Sequence, residues 1–470
     1  MSLIKVRAST LDVTGINASS GGSVGINVMT IPGVVNDGSA DITSTLQTYI
    51  DALLNNNTLY TLYFPAGLYN IVGLKLAGTL GNKQVSLVGE NRDNTQIIRP
   101  STDTTYAYIA ALSRLSIISG IYFNYNTLLK DNAPINSGAN ILYLSATSKN
   151  TIKNNTFSDS KYAGISVGAD QGNPLNTTYL TIKDNLFYSC VTSIIAKNIS
   201  LNCAITNNTF IGSTGADVIL TGAVDTDVCS NLSLSSAVGA LGSTASINLA
   251  GSCINVNVCY NKITSNNASG IISIGNDKIN IASNTITVSS IVGFGVGVIN
   301  ANTNVSITNN TITNAKSPIV VQNNNTTVNI SDNIVLNGQQ FGIYVSQGSG
   351  SSNTNVSITN NTINKTQLAG INVTDGNSGL LVSNNTVIDP NMSATVATAN
   401  ASGIYLAAAN GFVCCNNLIS GGNTVGHGTP TYGIYAVGSI FSASTLMGNV
   451  CNISTVTNYF QAYCVTTGNV

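Results

Sequence analysis

The chain has 470 residues, 43% of them hydrophobic and only 7% charged, with a formal net charge of −1. That balance offers no basic footprint for nucleic acid and no polybasic patch for an anionic membrane. Insertion into a membrane is not expected either, because Asn, Ser, Thr and Gly interrupt every apolar run well short of the roughly 20 residues that span a bilayer.

The first residues, Met-Ser-Leu-Ile-Lys-Val-Arg, lack the apolar core of a secretory signal, so synthesis in a cytoplasm is expected. Residues 1–36 are short runs of Ser, Gly, Val and Ile broken by Gly21, Gly22 and Gly25, and they read as an N-terminal arm without a core of its own. The character changes at 37–57. Asp37-Gly38 and Asp41 lead into Ile42, Leu46, Ile50, Leu53 and Leu54, the spacing of one helical face, with Asp41 placed as its cap. Asn55-Asn56-Asn57-Thr58 ends that helix, and residues 62–71 read as a strand, a Pro65-Ala66-Gly67 turn and a second strand.

From about 140 to 450 one phrase recurs: an apolar residue, an Asn three later and usually another apolar residue two beyond, as in Ile152-Lys-Asn-Asn155-Thr-Phe157 and Ile307-Thr-Asn-Asn310-Thr-Ile312. The marking residues are Asn155, Asn185, Asn208, Asn231, Asn261, Asn284, Asn310, Asn333, Asn361 and Asn385, and the pattern extends to Asn417 and Asn449. Successive members are never closer than 23 residues, and variable insertions lengthen some units. A unit this small cannot bury its own apolar face, so it must stack on its neighbours as a solenoid. The apolar residues alternate at period two and are rich in Ile, Val and Thr, which selects strands over helices. A second strand opens with Gly-Ile or a variant at Gly164, Gly270, Gly342, Gly370, Gly403 and Gly433.

Asn suits the corner between strands because its amide tolerates the left-handed backbone and bonds locally. Stacked at strand spacing, such amides bond from turn to turn as a ladder. The many N-x-[ST] triplets follow from this repeat rather than from glycosylation. Among the nine cysteines there is no CxxC pair. Cys229 and Cys259, each one after the Val that opens a ladder strand, read as stacked apolar thiols rather than a disulfide.

Asp37-Gly38, Asp41, Phe64-Pro65, Gly67 and Tyr69, followed by the Asn-marked coils, resemble the pectin-lyase-like family, and within it bacteriophage tail spikes and tail fibres. The resemblance covers nearly the whole chain. It implies an all-β protein, a single-stranded right-handed parallel β-helix over 58–470 with a capping α-helix at 37–57 closing its open end. It further implies a homotrimer, attached through residues 1–36 to a phage tail or baseplate protein, located in the virion and acting outside the host that made it.

Family enzymes of this fold degrade acidic polysaccharides, yet their motifs are mostly missing. Gly426-His427-Gly428 matches the G-H-G of polygalacturonase-like hydrolases, but the N-T-D, D-D and R-I-K elements are absent, and no Lys or Arg follows Lys365. The pectate lyase R-x-P-x-x-R and W-I-D-H patterns are also missing. Glycosidases need two carboxyls, and Glu90 is the sole Glu. Asp217, Asp225 and Asp227 form the best local acidic cluster, able to supply an acid and base or oxygen ligands for Ca²⁺; otherwise no cofactor or metal is implied. The competing reading makes Asp225-Thr-Asp227 a solvated turn, and Asp184 and Asp332, one before a ladder Asn, are corner residues.

Binding is easier to argue than catalysis. The longest loops, 389–402 and 420–432, fall in consecutive coils and stack side by side. Tyr405, Tyr432 and Tyr435, with His427 in the second loop, form a candidate surface for a neutral glycan, burial within the coil wall being the competing reading for Tyr405 and Tyr435. The expected function is recognition of a host cell-surface polysaccharide by a tail spike or tail fibre. The alternatives are a depolymerase (glycoside hydrolase or lyase) acting on capsule, lipopolysaccharide or a pectin-like substrate, and a purely structural virion rod.

Overall fold

The recurrent Asn-Asn pair divides two tasks between its members. In Asn154-Asn155 the first residue takes the left-handed backbone (φ 54°), as do Asn309 (φ 56°), Asn360 (φ 57°) and Asn416 (φ 55°) before their own ladder residues. The second turns inward and is buried. One corner Asn thus does not do both jobs, as the sequence reading supposed; the chain turns on the first and ties its coils together with the second. Asp184 and Asp332 occupy the turning position, with φ of 57° and 59°. They are corner residues.

The computed structural model describes residues 24–467 apart from 55–59, 77–84, 99–109, 113–115, 125–139, 145–148, 161, 169–177, 200–201, 237–244, 267, 290–292, 349–350, 375, 393–401, 408–409, 422–431, 438–443, 454–456 and 462–464. The chain forms two compact units, Met1–Thr214 and Gly215–Val470. Each is a right-handed parallel β-helix. A coil contributes one strand to each of three sheets in turn. Sheet A precedes the Asn corner, sheet B follows it, and sheet C carries the Gly-Ile strands, as in Thr303–Thr308, Thr311–Thr313 and Ser317–Gln322. Neighbouring coils pair in parallel and in register: Ile281 opposite Ile307 in A, Ile286 opposite Ile312 in B, Val296 opposite Ile319 in C.

In the first unit, Asn155 donates through its backbone N and Nδ2 to Asn185 Oδ1 (3.0 and 3.1 Å), and Asn185 does the same to Asn208 (3.1 and 3.1 Å). The second unit repeats this from Asn261 through Asn284 and Asn310 to Asn333, and on to Asn449. Each Nδ2 also reaches a strand carbonyl, as Asn310 does to Ile281 O (2.9 Å). Buried amides are thereby satisfied within the wall.

Why the sheet C strand opens with Gly is steric. A Cβ at Gly270 would lie 2.5 Å from Ile286 Cγ2, at Gly342 2.5 Å from Ile363 Cγ2, and at Gly403 2.5 Å from Ile419 Cγ2. Gly lets sheet C close against the inner column of sheet B.

At the N-terminal end, helix Thr43–Leu54 buries Leu46, Ile50, Leu53 and Leu54. Its cap is Asp41, which accepts from Thr43 N (2.9 Å). Gln47 accepts from Lys75 N (2.8 Å) and donates to Lys75 O (3.2 Å), satisfying backbone groups of strand Leu74–Leu76 that would otherwise be an open edge. The Pro65-Ala66-Gly67 turn is held by Tyr69 Oη donating to Pro65 O (2.9 Å) and by Glu90 accepting from Ala66 N (3.0 Å). Glu90 thus braces the turn of the first coil. The expected arm of residues 1–36 needs one correction: Val24–Asn27 is a sheet A strand in register with Tyr60–Phe64, because its backbone completes the first coil.

Candidate functional site

The acidic cluster separates into two environments. Asp217, just before strand Val218–Thr221, is 1% exposed and accepts a hydrogen bond from Ser233 Oγ. Asp225 and Asp227 lie on the outer side of sheet A strand Val224–Cys229, flanking the inward Thr226. Asp225 accepts from Asn255 Nδ2 (2.6 Å) and Asp227 from Asn257 Nδ2 (2.8 Å). Asp225 is also left-handed (φ 48°), in one column with Asn255, Lys278 and Asn304. Each carboxylate is hydrogen-bonded to the Asn of the next coil at the exposed surface, and neither sits in an apolar pocket of the kind that keeps a general acid protonated. The structure therefore brings together Asp225 and Asp227 and leaves Asp217 apart. Among the described residues no group of three or more His, Cys, Asp or Glu could hold a metal.

Cys229 and Cys259 face each other across adjacent sheet A strands, with Cα atoms 4.7 Å apart, and form a disulfide. This corrects the expectation of stacked thiols. Register sets the two cysteines side by side on the outer face, and the Cα separation falls within the range a disulfide spans. Cys203 and Cys253 stay buried as thiols, their pKa pushed up chiefly by burial.

The tyrosines do converge. Tyr405 and Tyr435 stand opposite each other on the outer side of sheet C, half-exposed, with rings stacked at 5.5 Å and 6°. Tyr432 leans on Tyr435 at 4.8 Å and 40°. The same register row passes through Asn372, which is 0% exposed, before Tyr344, whose ring stacks on Phe341 at 4.9 Å. The sequence reading missed Tyr344 and Phe341, although Gly342-Ile343-Tyr344 repeats the Gly403-Ile404-Tyr405 motif. His427 and most of both long loops lie outside the described residues. What is described is an uncharged cluster of three tyrosine rings, Tyr405, Tyr432 and Tyr435, with the Tyr344–Phe341 pair set apart from it by the buried Asn372.

A second buried Asn ladder, also missed, lies at the corner between sheets C and A: Asn276, Asn302, Asn325, Asn353 and Asn377, with Asn302 Nδ2 donating to Asn325 (2.9 Å) and Asn325 Nδ2 to Asn353 (2.8 Å). Its signal was an Asn three residues before the first apolar residue of the A strand, as in Asn302-Thr-Asn-Val305.

Residues 245–406 match the family model described as right handed beta helix region, and residues 110–215 match the model of the periplasmic copper-binding protein NosD. No curated protein is similar to the chain in sequence. Among solved structures, gene product 12 of bacteriophage phi29 superposes with a TM-score of 0.60 at 14% identity, over 90% of this chain and 64% of that one, so the chain spans less than two thirds of its length. The tailspike protein of E. coli bacteriophage HK620 gives 0.59 at 14% identity, over 88% and 78%; a mutant of it was solved in complex with a pentasaccharide, with a TM-score of 0.58. The chain is a right-handed parallel β-helix, a fold it shares with the tailspike protein of bacteriophage HK620.

Proposed function

We propose that the protein is a bacteriophage tail spike or tail fibre subunit that recognises a host cell-surface glycan. The observation that carries this reading is the outward row of sheet C, where Tyr405 and Tyr435 stack one coil apart and Tyr432 extends the aromatic surface. Flat, weakly polar rings with hydroxyl tips match the alternating apolar faces and hydroxyl edges of sugars. The absence of any Lys or Arg after Lys365 favours a neutral glycan segment there. Shared fold with a tailspike solved with a bound pentasaccharide supports the reading. In this proposal the subunit works as a homotrimer in the virion, held to a tail or baseplate protein through the part of residues 1–36 that precedes Val24.

The test is to incubate the full chain with capsule and lipopolysaccharide from candidate hosts, measuring both retention of the polysaccharide and new reducing ends or unsaturated products. Retention without product is expected. Failure to retain any host-surface glycan overturns the proposal, and product that vanishes in Asp225→Asn returns the depolymerase reading to first place.

A further inference from the structure

Cys229 and Cys259 end two adjacent sheet A strands, Val224–Cys229 and Ile254–Cys259, and both are half-exposed on the outer side. Their register row continues through Ala282, Thr308, Ser331 and Thr359. Side chains of varied chemistry serve at this position, so packing does not account for two thiols in neighbouring coils. Among the described residues Cys415 is the other half-exposed cysteine, and its neighbours in the row are Ser383 and Met447. Cys190, Cys203, Cys253, Cys414 and Cys451 are buried thiols, out of reach of a bulky reagent. Among the described residues, Cys229 and Cys259 alone combine access with a partner. The bond is also not what aligns them. The two strands pair in parallel along their length, Asp225 and Asp227 accept from Asn255 and Asn257, and Asn231 donates to Asn261 through backbone N and Nδ2 (both 3.0 Å). These contacts hold the cysteines side by side whether or not the sulfurs are joined.

We infer that Cys229 and Cys259 form a redox-conditional staple: a pair that the reduced fold already aligns, and that locks two coils of the second unit once the chain meets an oxidising medium. Closure is a two-electron step. The thiolate of one cysteine attacks a low-molecular-weight disulfide, the second thiolate attacks the mixed disulfide so formed, and the oxidant leaves as two thiols carrying the two protons. In a reducing compartment the pair stays a dithiol, and the coils are held by their hydrogen bonds alone. The closed staple ties residues 30 apart in sequence. It restricts the locally opened chain far more than the native one, so opening of these coils becomes rarer. The inference is independent of glycan binding. Only the moment of closure, on leaving the cell that makes the chain, rests on the function proposed above.

The test is native-state hydrogen exchange read by mass spectrometry on the full chain, after oxidation with glutathione disulfide and after reduction with dithiothreitol. Thiol titration should find two fewer free thiols in the oxidised protein. Reduction should speed exchange in strands Val224–Cys229 and Ile254–Cys259 roughly 100-fold, while Thr303–Thr308 and Thr326–Ser331 stay unchanged. Cys229→Ser/Cys259→Ser should keep the wild-type circular dichroism, exchange like the reduced wild type and ignore dithiothreitol. An equal thiol count in the two states overturns the inference, as does exchange that is the same in both. Reduction that unfolds the whole chain also overturns it, since the bond would then be a condition of the fold rather than a lock added to it.

Discussion

The two units fill the same position of the coil with different shapes. In the first, the inward sheet B column is Phe123, Phe157, Phe187 and Phe210, whose rings stack at 5.3, 5.0 and 5.2 Å. In the second it is Ile263, Ile286, Ile312, Val335 and Ile363, all buried. The Asn corner beside the column is the same in both, with amide bonds of 2.9 to 3.1 Å. The corner is thus what the two units share, while the column varies and even sets Phe123 opposite Ile97 and Ile263 opposite Ser233. In the proposed function, recognition falls to the outer side of the strands, where side chains need not repeat from coil to coil.

That comparison can be broken most directly in the columns. Phe187→Ala removes a ring packed between two others and should cost about 3–5 kcal/mol in urea unfolding, whereas Ile312→Val should cost only about 0.5–1.5 kcal/mol. Equal losses would mean that the two columns do not differ as their packing indicates. Next, Asn185→Ala and Asn310→Ala each strip a shared acceptor from the preceding amide and leave a strand carbonyl without its donor. Both should lose about 3 kcal/mol, and a difference above ~2 kcal/mol would show that the corner is not equivalent in the two units.

The smallest effect separates the units by pH. The Tyr69 hydroxyl in the first unit is pushed up to about 12, by burial first and then by Tyr63 and Glu90. Its contribution is therefore complete below pH 10 and is lost as pH rises from 10 towards 12. In the second unit Asp277 is held below the usual carboxylate range, mainly by hydrogen bonds from Thr303 and then Asn304. Its contribution is present above pH 3.8 and is lost as pH falls through its lower folded value. Thermal melts across pH should show the alkaline loss attenuated in Tyr69→Phe and the acid loss attenuated in Asp277→Asn.

Much of this was legible in the chain because repetition multiplies a weak signal. Asn310 alone says little, but twelve equivalents give coil length, strand order and the register that places Tyr405 opposite Tyr435. The Asp41 cap and the Pro65 turn were legible for the same reason that short motifs usually are, since their hydrogen bonds are local. Less legible were features that depend on the side of the strand. Cys229 and Cys259 were seen to be equivalent, yet whether outward thiols bond depends on the close approach of their Cβ atoms, which spacing does not encode. Asp217 looked like a neighbour of Asp225 by number, but the chain passes from inside to outside between them. Val24–Asn27 looked like an arm because a single strand carries no repeat of its own. Tyr344 was missed although its motif was in view, since only the register to Asn372 and Tyr405 shows that the three share a row.

The central claim is that the tyrosine row of sheet C recognises the glycan. It is tested by titrating a host-surface oligosaccharide into the wild type, Tyr405→Ala and Tyr435→Ala. Each substitution should weaken binding roughly five- to tenfold, about 1–1.4 kcal/mol, with circular dichroism and melting unchanged. Undiminished affinity in both folded variants would contradict the account.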